Sequence, residues 1–289
     1  MRSSRCMKAP PDHHCRVFGS PWEGVYCTHI ESARHYGRHW HATYGLGLLE
    51  HGAQSSASGR GQVDAYAGDL ITTNPGEVHD GRPLGGPSRR WRMVYLDPGV
   101  IASMKDHPGS SAAPDVELTR PVIKDIRLSR ALQRLFGRLE DWSAGRCPTS
   151  ADVLACEESL VQACALLLDR HATVSPVREV RGDARQVRDR LADDLLNPPT
   201  LTDMAIMAGL SKYQLLRRFE ETYGVPPHSW LLLQRAERAR CLIQDGLSLA
   251  QAAASCGFAD QSHMTRIFVR QFGFTPGVWR SAAARAGLQ

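Results

Sequence analysis

No apolar run in the 289 residues approaches the ~18 that a membrane-spanning helix needs. The basic start, MRSSRCMKAPP, has no apolar segment behind it, so no signal peptide is expected, and the cytoplasm is the expected compartment. The eight cysteines, at 6, 15, 27, 147, 156, 164, 241 and 256, include no C-x-x-C pair, which argues against a zinc ribbon or a secreted disulfide framework. Cys156 and Cys164, eight apart in a helical stretch, read as small core fillers. Neither sign of charge dominates, since 35 Lys and Arg face 30 Asp and Glu for a net +5. The 42% hydrophobic and 22% charged residues belong to a globular chain rather than a disordered or fibrous one. The length leaves room for two domains of roughly 100–200 residues each.

What charge surplus there is lies largely at one end. Residues 181–289 carry fourteen Arg and Lys against ten Asp and Glu, mostly arginine, which reads phosphates and guanine edges better than lysine does. Three textures precede and include that region. The segments Gly24–Glu31, Tyr44–His51, Gln62–Ala67, Asp69–Thr73 and Arg89–Asp97 read as strands between Gly-bearing turns, in the pattern of a small antiparallel barrel or sandwich. From about 122 to 172 the period becomes helical, through Ile123, Ile126, Leu128, Leu132, Leu135, Phe136 and Leu139, then Val153, Leu154, Leu160, Val161, Ala163, Cys164 and Leu167. Gly145–Ser150, with Pro148, separates the two runs and makes a helical hairpin. Its apolar face is wider than two helices bury alone, so it should pack on the barrel, on a second protomer, or on both. Ala172–Asp183, polar and broken by Pro176 and Gly182, reads as a linker, and the remainder is helical.

That helical remainder repeats itself. Thr200-Leu-Thr-Asp203 and Ser248-Leu-Ala-Gln251 are both helix-start signals, a hydroxyl followed three residues later by an acid or amide, and they lie 48 apart. Ala205 matches Ala253 and Gly209 matches Gly257 at the same offset. One added residue shifts the register to 49, at which Ser211 matches Asp260, Leu215 Met264, Phe219 Phe268, Gly224 Gly273, Pro227 Pro276 and Trp230 Trp279. Each unit has the grammar of a helix-turn-helix: a small residue for close helix approach, a glycine able to end the first helix left-handed, and a capped second helix. Leu215 with Phe219, and Met264 with Phe268, form inward stripes. The outward positions carry Lys212, Tyr213, Gln214, Arg217, Arg218 and Glu221 in the first unit, and Gln261, Ser262, His263, Arg266 and Arg270 in the second. Arg, Gln, Tyr and His are side chains that reach base edges, while Lys212 and Arg270 suit phosphates. An ordinary polar helix face is the plain alternative for one such helix, and two equivalent helices with the same chemistry argue against it. Pro227 to about Gln244 reads as one helix of about 25 Å, long enough to set two readers roughly one DNA turn apart.

These residues resemble the AraC/XylS family of bacterial transcription regulators. The pattern runs from Thr200 through Ala205, Gly209, Ser211, Phe219, Gly224, Pro227, Arg235, Ala239 and Leu242 to Gly257-Phe258, Asp260, Ser262-His263, Arg266, Phe268, Gly273, Pro276 and Arg280. Met264 stands where the family commonly has Phe. The resemblance implies that Tyr213, Gln214 and Arg217, with Gln261, Ser262 and Arg266, occupy DNA-contacting positions. The strands resemble the family's cupin-like sensor domain, on His39-Trp40-His41, Gly68-Asp69 and Asn74-Pro75-Gly76-Glu77-Val78-His79. Metal-binding cupins add a Glu shortly after the first His pair, and here Ala42, Thr43, Tyr44 and Gly45 stand there. Three imidazoles with water could still hold zinc or iron, but no metal and no cofactor is assigned. His39, His41, Glu77, His79, Trp91 and Tyr95 are the candidate effector ligands, a mix of apolar wall and few polar groups suited to a small-molecule pocket.

The expected fold class is α+β multidomain. An N-terminal arm (1–19) precedes a cupin-like effector-sensing barrel (20–105), a helical dimerisation element (106–172), a linker (173–183) and a double helix-turn-helix domain (184–289). The expected function is sequence-specific binding of double-stranded DNA under control of a small-molecule effector. A homodimer, no membrane partner, and RNA polymerase contact if the protein activates complete the expectation. The competing reading is an enzyme, a metal-dependent cupin oxygenase or isomerase using His39, His41 and His79; a constitutive DNA binder is a third.

Overall fold

Apolar residues at alternate positions, punctuated by glycine turns, build the N-terminal half as sheet. The structure, a computed structural model, describes residues 13–103, 116–144, 150–174 and 182–286. Nine strands come first: β1 (His13–Phe18), β2 (Val25–Ser32), β3 (Tyr36–His39), β4 (Tyr44–His51), β5 (Ala53–Ser58), β6 (Gly61–Tyr66), β7 (Leu70–Thr73), β8 (His79–Pro83) and β9 (Arg89–Leu96). They are followed by α1 (Pro98–Ser103), β10 (Val116–Leu118), β11 (Val122–Ile123), α2 (Ile126–Ala144), α3 (Ser150–His171) and β12 (Ala172–Val174). All pairings are antiparallel. A six-stranded sheet has the order β1-β2-β9-β4-β7-β11, a four-stranded sheet the order β3-β8-β5-β6, and β10 pairs with β12.

The five expected strands coincide with β2, β4, β6, β7 and β9 to within a residue. The others are polar or irregular in sequence: HHCRVF, YGRH, AQSSAS and HDGRP offer few of the β-branched and aromatic residues that mark strands. Pairing, not propensity, makes them strands. His13–Phe18, expected in an arm, pairs along its whole length with β2. Val122–Ile123, expected at the start of the hairpin, pairs with β7, and Ala172–Val174, expected in the linker, pairs with β10. The hairpin turn at 145–149 and linker residues 175–181 lie outside the described residues.

The six-stranded sheet is covered on both faces, which is why Tyr44–Leu49 is buried without interruption. On its outer face Cys27, Leu46, Leu48, Val94 and Leu96 meet the apolar stripe of α2 (Leu128, Leu132, Leu135, Phe136, Leu139) and Leu160, Cys164 and Leu167 of α3. The hairpin's wide apolar face therefore packs on the barrel.

The last third comprises α4 (Gly182–Asp193), α5 (Leu201–Ala208), α6 (Lys212–Tyr223), α7 (Pro227–Gln244), α8 (Leu249–Ser255), α9 (Gln261–Phe272) and α10 (Pro276–Ala286). The cap signals act as their chemistry dictates. Thr200, Ser211 and Ser248 close capping boxes with Asp203, Gln214 and Gln251, and the Asp260 carboxylate accepts the His263 N–H. Arg235 on α7 ties the two units together, donating to the carbonyl of Leu195 and, at 2.6 Å, to that of Gly257.

The helical third is packed against the barrel. Tyr26, Trp91 and Tyr95 share a core with Phe272, Phe274 and Trp279, and Trp40 and Val78 share another with Phe219 and Trp230. Two glycines make the approach close. Gly224 and Gly273 end α6 and α9 at φ of 75° and 80°, conformations that a side chain disfavours. A Cβ on Gly224 would come within 2.9 Å of Val78, and one on Gly273 within 3.0 Å of the Tyr36 hydroxyl. The C-terminal ends of α6 and α9 thus sit on the barrel.

Candidate effector cavity and DNA-reading face

Side chains that alternate along strands of both sheets converge on a cavity of about 100 Å³ between them. His39, His41, Glu77, His79, Trp91 and Tyr95 all line it. The geometry brings the six sequence candidates together, with different jobs.

The three histidines form one cluster. Ring centroids lie 4.4 Å apart for His39 and His79, 5.0 Å for His39 and His41, and 5.4 Å for His41 and His79. His39 Nδ1 is 2.7 Å from the Gly37 carbonyl, and His79 Nδ1 is 2.9 Å from the Glu77 carbonyl. A carbonyl only accepts, so Nδ1 carries the proton in both rings and Nε2 keeps its lone pair. His41 Nδ1 is buried without a hydrogen-bond partner among the described residues. Burial, and then the neighbouring His79, push His39 down to about 3. Burial likewise lowers His41 and His79, so all three rings are neutral at physiological pH.

Three neutral imidazoles, two with Nδ1–H anchored on carbonyls, are a donor set that fits a borderline divalent ion such as zinc. Their candidate ligand atoms lie within 4.8 Å of one another. Among the described residues no carboxylate joins them. Both oxygens of Glu77 are taken by Arg60, at 2.6 and 2.7 Å, and Oε2 also accepts the Asn74 N–H. Burial alone would raise the Glu77 carboxyl, and Arg60 reverses this, leaving it below the usual range. Glu77 therefore braces the cavity wall.

The sequence reading passed over Arg89, the largest of the fully buried side chains, at 1% exposure. It lines the cavity with its guanidinium 4.7 Å from the centre of the Trp91 ring. Period-two alternation along β9 puts Arg89 and Met93 on the same face as Trp91 and Tyr95, and that signal was available in the sequence.

Gln271 and Phe272, the last two residues of α9, complete the wall. The Gln271 amide donates to the Trp40 carbonyl at 3.0 Å and to Glu237 Oε1 at 3.3 Å, while Ala42 N–H donates to the same Glu237 oxygen at 3.0 Å. Phe272 lies 5.8 Å from the His41 ring. The segment 40–42, which carries His41, is thereby held by α7 and α9 together. These contacts span about two hundred residues of sequence, and no local pattern announces them.

On the opposite side of α6 and α9 from their buried stripes (Leu215 with Phe219, Met264 with Phe268), Lys212, Gln214, Arg217, Arg218, Gln261, Ser262, Arg266 and Arg270 are exposed. Three positions carry qualifications. Gln214 is exposed, but its side chain accepts the Ser211 N–H in the capping box. His263 is half-buried, edge-on to Phe258. Arg217 is bonded to Glu221 at 2.8 Å. The Tyr213 side chain lies outside the described residues.

Comparison with known proteins bears on both regions. The family described as AraC-like ligand binding domain matches residues 24–155, and that described as helix-turn-helix domain matches residues 204–282. The uncharacterized HTH-type transcriptional regulator YbfI of Bacillus subtilis (strain 168) is 29% identical over 246 residues, 82% of this chain and 86% of that protein. The transcriptional activator NphR of a Rhodococcus species is 38% identical over 170 residues, 58% of this chain and 50% of NphR. The chain thus spans most of one of these relatives and half of the other. In fold, it is similar to ToxT from Vibrio cholerae O395, with a TM-score of 0.50 at 10% identity, covering 96% of this chain and 99% of ToxT.

Proposed function

The chain belongs to the AraC-type transcriptional regulators, with an AraC-like ligand binding domain ahead of a helix-turn-helix domain, and on that basis we propose that occupancy of the barrel cavity governs how α6 and α9 engage double-stranded DNA. The observation that carries this reading is the double role of α9. It bears the exposed Gln261, Ser262 and Arg266 toward one end, and at the other its Gln271 and Phe272 are cavity wall.

DNA contact falls to Lys212, Tyr213, Arg217 and Arg218 of the first unit and Gln261, Ser262, His263, Arg266 and Arg270 of the second, with Gln214 contributing where its cap bond yields. The effector contacts His39, His41, His79, Trp91 and Tyr95, on a wall braced by Glu77. A molecule that moves segment 40–42 acts on Gln271 and Glu237 directly. It shifts DNA affinity by the difference in its affinity for the two arrangements.

The active species is a homodimer. Leu154 and Val161, seven residues apart on α3 and half exposed or more, give the hairpin an unburied apolar stripe for self-association. RNA polymerase is the further partner, in line with the activator name of NphR. Among the described residues no helix is long and apolar enough to cross a membrane. A regulator is favoured over a cupin enzyme because Glu77, a carboxylate in the same cavity lining as the histidines, is committed to Arg60.

The test is selection of binding sites from a random duplex library by the full chain. Two non-palindromic half-sites about one turn apart are expected, with loss of one half-site preference in Arg217→Ala and of the other in Arg266→Ala. Unchanged preferences in both variants would overturn the assignment of the reading helices.

A further inference from the structure

The interior of a protein is a poor place for an unpaired charge, and Arg89 is one. Its side chain is fully buried, yet among the described residues no carboxylate lies within 4.0 Å of it. Its hydrogen-bond acceptors are neutral: Gln54 Oε1 takes Nε–H at 3.0 Å, and the Arg34 carbonyl takes Nη1–H at 3.1 Å. A guanidinium has five N–H donors, so three remain. Burial lowers its pKa to about 10, which leaves it charged at neutral pH. The faces of Trp91 and Tyr36, 4.7 and 5.7 Å away, compensate the charge in part.

The rest of the cavity does not neutralise it. Of the two acids in the lining, Glu77 is bonded to Arg60, and Asp80 Oδ1 accepts the Ala57 N–H at 2.7 Å. The three histidines are neutral. Beside Arg89 the lining includes Gly81, where a Cβ would stand 3.4 Å from Nη2, so the chain keeps its own atoms back from that donor. The remaining wall carries no further charge: apolar and aromatic groups such as Ile30, Met93 and Phe272 stand beside uncharged polar ones such as Ser56, Thr72 and Thr73.

We infer that the effector is a small organic monocarboxylate, its head paired with the free N–H groups of Arg89 and its apolar body laid against Trp91, Met93 and Phe272. A planar carboxylate matches the guanidinium fork. The volume of about 100 Å³ suits a body of benzene-like size and excludes a nucleotide. A second negative charge would meet Asp80 in the same enclosure. The inference rests on the effector reading for its consequence at DNA, but not for the binding event.

The two are separated by one experiment on the full-length chain. Benzoate, phenylacetate and hexanoate are compared with their neutral amides by calorimetry, and DNA affinity is measured with each. At least one acid is expected to bind about tenfold or more tighter than its amide. Arg89→Met should erase that ratio and Arg89→Lys restore part of it. Should Arg89→Met not fold, the acid-to-amide ratio in the unaltered protein decides by itself. Equal or tighter binding of the amides, or no binding by either series, overturns the carboxylate. An acid that binds through Arg89 without altering DNA affinity supports the site and overturns the effector reading instead.

Discussion

The side-chain amide of Gln271 donates to the backbone carbonyl of Trp40 at 3.0 Å, across 231 positions of sequence. Trp40 stands between His39 and His41, and Gln271 follows the exposed Arg270 on α9. Helix α9 and the cavity wall thus share a buried hydrogen bond, so under the proposed function a single contact separates the cavity from a DNA-reading helix.

Gln271→Ala removes that bond and the one to Glu237. The expected cost is about 1–3 kcal/mol of stability, read by denaturant unfolding. The telling measurement is the ratio of DNA affinities with and without effector, which should fall toward one. An unchanged ratio would mean that the coupling runs elsewhere.

Arg217→Ala and Arg266→Ala should each weaken DNA binding by about 1–3 kcal/mol in a fluorescence anisotropy titration, relaxing specificity at separate positions. Arg217 is bonded to Glu221, so Glu221→Gln frees the guanidinium and removes a negative charge from the exposed face proposed to read DNA. That variant should bind DNA more tightly than the unaltered protein. Affinity in all of them should fall steeply with salt as counterions are released.

Asp125 accepts the N–H groups of Arg127 and Leu128 at the start of α2 and pairs with Arg170 and His171 at the end of α3. The His171 bond first, then those N–H groups and Arg170, outweigh burial and hold its carboxyl down to about 2. A folded-state pKa below the unfolded value adds stability above about pH 4 that is lost as pH falls toward 2. Asp125→Asn should therefore cost about 1–2 kcal/mol at pH 7, with the gap to the unaltered protein closing near pH 2. A gap that persists at pH 2 would show that its origin is not the carboxylate charge.

The donor set at His39, His41 and His79 is all imidazole, which suits zinc or cobalt and not magnesium or calcium. Zinc or cobalt should raise the melting temperature of chelator-treated protein, whereas magnesium should not, and His79→Ala should abolish the gain. Cobalt would add visible absorption that reports its coordination. Equal responses to magnesium and zinc would exclude the cluster as their cause.

Sequence showed the helical third most fully, because what defines it is local. A hydroxyl at Thr200, Ser211 or Ser248 bonds within three residues, and Gly224 and Gly273 end helices where their φ requires it. Gln214 shows the same rule at a candidate site residue: Ser211-x-x-Gln214 is a capping pair as well as part of the outward face. In the barrel, strands with β-branched and aromatic residues were legible, and polar strands such as Ala53–Ser58 were not. His39, His41, Glu77 and His79 were found through motif likeness, and Trp91 and Tyr95 as aromatic wall on a neighbouring strand. The alternation along β9 was legible, but Arg89 escaped because a charged residue in a strand is ordinarily a solvent-facing one, and tertiary packing denies it both water and an acidic partner.

The bare ends of α6 and α9 have a consequence for protein engineering. Gly224 fits over Val78 and Gly273 over Tyr36, with His13 also grasping the Gly273 carbonyl at 2.7 Å. The two heads are therefore cut to this barrel, and a chimera that borrows a foreign sensor inherits neither seat. Domain swaps intended to rewire such regulators should transplant Val78, Tyr36 and His13 with the heads they receive.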